Sequence, residues 1–109
     1  MNQEQVIDTL KNYKHLNDDS IVQAVRFIVS ELSEKIYKKE KMNRDKDGIF
    51  FDILDIKKSN DIYEIHLNFR LVKNKNKELP YLIECEEEVK KGKIIVDLSK
   101  VDPVYRLKI

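Results

Sequence analysis

Metal or acid–base chemistry in this chain has few side chains to draw on: two histidines and one cysteine accompany 20 aspartates and glutamates. His66, Glu86 and Asp97 fall in three segments that read as neighbouring strands. If those segments pair as successive hairpins, the three side chains meet in one row. An imidazole with two carboxylates suits several divalent first-row ions. The plainer reading, favoured here, pairs Glu86 with His66 on a wet sheet face, since strand register shifts easily when one face is polar. No catalytic or cofactor residue is assigned, and His66, Glu86 and Asp97 stand as the metal candidate.

The same expected face carries Leu82, Glu84, Glu86, Ile95 and Asp97. Acidic side chains beside exposed apolar ones form a docking surface for another protein or a second copy. Cys85 takes the inward parity and reads as a small core hydrophobe. A lone cysteine excludes an intrachain disulfide and a thiolate zinc cluster. The basic stretch from Lys35 to Lys46 is interrupted by Glu40 and Asp45, with Asp47 just beyond. No aromatic residues alternate with it as a stacking platform requires, so nucleic acid is not the expected partner. There is no glycine-rich phosphate loop, no GxSxG elbow, no HExxH and no CxxC.

The element that must position these residues is Asp61 to Val72, DIYEIHLNFRLV. Tyr63, Ile65, Leu67, Phe69 and Leu71 alternate with Glu64, His66, Asn68 and Arg70. A period of two rich in β-branched and aromatic residues is a half-buried strand, and one wet face implies an antiparallel sheet. Ahead of it, Ile49 to about residue 57 alternates poorly. Either Ile49, Phe51 and Ile53 face inward or Phe50, Leu54 and Ile56 do, and each choice strands Asp55 or Asp52 among apolar neighbours. After it come expected strands at about 81–89 and 93–99, with KKGK as a tight hairpin around Gly92, and a short strand at about 104–108. The hairpins pair Leu71 with Tyr81, Phe69 with Ile83 and Leu67 with Cys85.

Two helices precede the sheet. Val6, Ile7, Leu10 and Tyr13 set a narrow apolar stripe for a helix over about 3–14. A second runs over about 18–41, capped by Asn17 with Leu16 and Ile21 as a hydrophobic staple. Ile21, Val22, Ala24, Val25, Ile28, Val29, Leu32 and Ile36 make its broad apolar arc, opposite Gln23, Arg26, Ser30, Ser33 and Glu34. The expected fold is α+β, one domain over 1–109: two helices on one face of an antiparallel meander of four or five strands. That architecture resembles cystatin-like and nuclear-transport-factor-like folds, an analogy that transfers no function.

The formal charge of +1 provides no global field toward nucleic acid or anionic lipid. No apolar run nears the roughly 18 residues of a membrane span, and MNQEQVIDTL lacks the regions of a signal peptide, so the cytoplasm is the expected location. The function expected is a non-enzymatic protein-interaction module, such as a phage- or plasmid-encoded inhibitor or adaptor, self-associating as a homodimer. The alternatives are a ligand-binding module with a pocket between helix and sheet, and a metal-dependent enzyme using the His66 row.

Overall fold

The computed structural model describes residues 1–75 and 85–109. Helices α1 (Gln3–Asn12) and α2 (Asp19–Lys39) precede strands β1 (Gly48–Ser59), β2 (Ile62–Asn74), β3 (Cys85–Asp97) and β4 (Val104–Lys108). The strands form one antiparallel sheet in chain order, β1-β2-β3-β4, with the helices packed on one face. This is the α+β meander that the patterning indicates, with four strands among the described residues.

Helix α1 starts on a reciprocal cap. Asn2 Oδ1 accepts from the Gln5 N–H at 2.9 Å, and Gln5 Oε1 accepts from the Asn2 N–H at 2.8 Å. Only Val6 and Leu10 of α1 are buried, as its narrow stripe requires. Helix α2 is capped by Asp18, one residue later than the expected Asn17. The Asp18 carboxylate accepts from the His15 N–H at 3.2 Å and so closes the connecting turn instead of the helix end. At the other end Met42 N–H bonds the Tyr37 carbonyl at 2.9 Å and Lys41 N–H bonds that of Lys38, with Lys41 at φ 54. That is a Schellman stop with lysine where glycine is usual.

The alternation of β2 is realised in full: Tyr63, Ile65, Leu67, Phe69 and Leu71 are at most 1% exposed. They pack against Ile21, Val25, Ile28, Leu32 and Ile36 of α2 in one core. In β1, Ile49, Phe51 and Ile53 sit opposite Leu71, Phe69 and Leu67 on the helix side. A bulge between Ile53 and Asp55 then resets the parity, so Ile56 meets Ile65 on the same side. The first apolar set is inward up to the bulge and Ile56 of the second after it, Phe50 and Leu54 stay exposed, and neither aspartate is stranded. Asp52 and Asp55 pair with Asn68 and His66 on the outer face. The irregular alternation is the trace of the bulge.

β3 departs from expectation most. It runs unbroken through KKGK, and no glycine has a positive φ, so the expected hairpin at Gly92 does not exist. Glycine is needed there for closeness: a Cβ would lie 2.8 Å from the Phe69 ring and 2.9 Å from the Lys108 carbonyl oxygen. Leu67 accordingly faces Gly92 and not Cys85, seven residues further along. An odd offset exchanges the faces, and Cys85, expected inside, is exposed, as is Val89. The expected pairing partners Tyr81 and Ile83 lie outside the described residues.

Lengths explain the exposure. A strand of 13 residues spans about 43 Å and a helix of 21 about 31 Å, so the sheet overhangs α2. The molecule measures 49 × 25 × 23 Å.

Candidate functional site

The register of β2 on β3 disperses the candidate metal row. His66 stands opposite Lys93, Glu86 opposite Lys73 and Asp97 opposite Ile62. Glu86 is therefore about 23 Å along β3 from His66's partner, and by parity on the other face. Each group also has a local partner. His66 Nε2 lies 3.2 Å from Glu64 Oε1, which accepts from Lys93 Nζ at 2.8 Å. The Lys93 hydrogen bond holds the Glu64 carboxyl below its ordinary range. Asp97 Oδ1 accepts from the Ser99 hydroxyl and backbone N–H, which lower its pKa. Glu86 pairs with Lys75. Among the described residues no group of His, Cys, Asp and Glu side chains gathers as a metal site would require.

Of the expected docking residues, Ile95 and Asp97 share the outer sheet face, where Ile95 is half-buried and Asp97 buried. Glu86 lies across the sheet from them, and Leu82 and Glu84 lie outside the described residues. The outer face does carry apolar groups: Phe50 is 50%, Ile62 43% and Val89 57% exposed. Phe50 and Val89 flank Arg70 in one row, and the polar rows of Asp52–Asn68–Lys91 and Asp55–His66–Lys93 separate them from Ile62.

A second feature lies between α2 and β1. A groove of about 580 Å³ runs there, floored by Val22, Val29, Ile49 and Phe51. Arg26, Arg44 and Arg70 surround it, and Ser30, Ser33 and the Tyr37 ring complete the helix wall. Local sequence sets each part. Residues 22, 26, 29, 33 and 37 repeat at three- and four-residue spacing and share one flank of α2. The Schellman stop turns the chain at Lys41 and returns Arg44 over Tyr37, 5.9 Å from the ring centroid. Arg70, opposite Phe50 across the sheet, stacks on that ring at 5.7 Å. Among the described residues no carboxylate lines the groove, although two of its arginines hold carboxylates: Arg44 pairs with Glu34, and Arg70 with Asp52 at 3.2 Å and Glu87 at 3.6 Å.

Comparison of the chain with protein-family models, with curated proteins and with solved structures gives no match. The site has to be read from its own chemistry.

β1 is an edge strand, and among the described residues no backbone group pairs with its free side. A strand edge presents unpaired N–H and C=O groups ready for another chain. Here that edge is open from Gly48 to Ile53, next to the groove; the bulge and then Lys57 and Lys58 blunt the remainder. The sequence shows Arg26, Ser30 and Ser33 as a polar flank of α2. What it hides is that β1 stops short of covering that flank.

Proposed function

We propose that this chain is a small non-enzymatic protein-interaction module of the cytoplasm, an inhibitor or adaptor, that docks its partner on the open edge of β1 and the groove beside it. The observation that carries this reading is the free edge at Gly48–Ile53 lying against an apolar-floored, arginine-rimmed groove. Adding a strand to an exposed edge draws affinity from main-chain hydrogen bonds and specificity from neighbouring side-chain pockets. Phe50 and Leu54, at 50% and 46% exposure, add apolar area on the same strand. The partner is a second copy of this chain or a different protein. No helix among the described residues is long and apolar enough to cross a membrane.

Selection of displayed random peptides on the immobilised chain tests the reading. Binders are expected, and Ser33→Trp, which plugs the groove, is expected to abolish their capture while circular dichroism stays native. If no peptide is enriched, or if all bind the plugged variant equally well, the edge-docking reading fails. The alternative is a small-ligand module, supported by the groove volume, which lies within the range of ligand sites. A melting-temperature rise of several degrees with small anionic metabolites, and no peptide binder, would establish it instead.

A further inference from the structure

The groove is selective in charge as well as in shape. Three guanidiniums from three separate elements converge on it: Arg26 from α2, Arg44 from the following loop and Arg70 from β2. Arginine presents a planar fork of donors matched to carboxylate. Arg44 and Arg70 already hold carboxylates at exposed pairs, Arg44 and Glu34 being 58% and 75% exposed. Among the described residues Arg26 holds no carboxylate; its Nη1 donates to the Gln23 amide oxygen at 3.3 Å. Exchanging one exposed carboxylate for another costs little, because exposed ion pairs contribute little net stability.

Resting on the interaction reading above, we infer that the groove takes an extended acidic segment of a foreign protein, added as a strand along Gly48–Ile53. The length is set by the bulge: six residues of regular edge accommodate about 20 Å of extended chain. Alternate side chains of such a strand turn toward the groove floor at Val29, Ile49 and Phe51. A second copy fits less well. Its Gly48–Ile53 edge brings a single carboxylate, Asp52, for the three arginines. Nucleic acid fits less well too. It has no peptide backbone to pair with the edge.

The probe is a short capped peptide alternating glutamate with valine, fluorescein-labelled and titrated with the full chain by anisotropy. Binding is expected, with new protection of edge amides within Gly48–Ile53 in hydrogen exchange. Replacing every glutamate by lysine should weaken binding by about tenfold or more, as should the double variant Arg26→Glu, Arg44→Glu. N-methylation of alternate peptide amides should remove it. Equal binding of the lysine peptide at the same protected amides overturns the acidic specificity and leaves the docking reading standing. Tighter binding of an oligothymidylate, or concentration-dependent self-association that protects the same amides, overturns the assignment of a foreign acidic strand. No binding of either peptide, with display-selected peptides also failing at this edge, removes both readings together.

Discussion

The two halves of β3 share one backbone ladder with β2 and almost nothing else. From Lys93 to Asp97 the strand carries Ile94 and Val96, both fully buried, and has β4 on its other side. From Cys85 to Val89 every residue is exposed. There the strand is laced by charge to β2 and the residue just after it: Glu86 with Lys75, Glu88 with Lys73 at 3.8 Å, and Glu87 with Arg70 at 3.6 Å. Lys90 marks the boundary, donating to Glu40 Oε2 at 2.8 Å at the residue that caps α2. The difference shows that pairing with β2 extends the strand, while cover by α2 decides which part of it is core. Exposed ion pairs give the outer half register without much stability.

The largest test sets one half against the other. Ile94→Ala should cost about 2–5 kcal/mol and Val89→Ala no more than about 0.5, read as urea midpoints. Equal shifts would break the division. At the junction, Gly92→Ala should cost about 1–3 kcal/mol, because the added methyl meets the Phe69 ring and the Lys108 carbonyl. A neutral result would mean that the strand does not pass there as tightly as described.

The boundary pair gives a smaller and pH-dependent effect. The Glu40 hydrogen bond raises the Lys90 pKa above its ordinary 10.5. A raised folded value contributes stability that is present below 10.5 and lost as pH rises through the folded value. The gap between wild type and Lys90→Met should therefore close in that alkaline range, and a gap constant with pH refutes the linkage. The smallest effect belongs to the buried half. Ser99 holds the Asp97 carboxyl below its ordinary 3.8, so its contribution is present above 3.8 and fades as pH falls through the lower folded value. Ser99→Ala should move the Asp97 carboxyl resonance midpoint upward toward 3.8 in an NMR titration. An unchanged midpoint would assign the shift to something else.

β2 was legible from the chain because one face is wholly buried, so its alternation is complete and its parity could not be mistaken. The apolar arc of α2 was legible for the same reason. β1 was half legible: Ile49, Phe51 and Ile53 face inward as one parity indicates, and a bulge then turns Ile56 of the other set inward while Phe50 and Leu54 stay exposed. β3 was misread because Lys-Lys-Gly-Lys has the composition of a turn, whereas its glycine serves a close approach to an aromatic ring. That one error displaced the pairing by an odd number of residues and with it the row of His66, Glu86 and Asp97. The α2–β1 groove was hidden because it depends on what β1 leaves uncovered, a relation between distant segments that periodicity within either one does not encode.

The overhang of the sheet beyond α2 also governs how the molecule moves through solvent. At 49 Å by 25 by 23, with a radius of gyration of 15.3 Å against about 13 Å for a compact domain of 100 residues, it is a rod about twice as long as wide. Such a particle meets more friction than a sphere of its mass and tumbles faster about its long axis than end over end. A single copy should leave a sizing column early, at the volume of a heavier globular standard. Early elution is thus the signature of its shape, and mass-based measurements such as sedimentation equilibrium are the ones that count subunits.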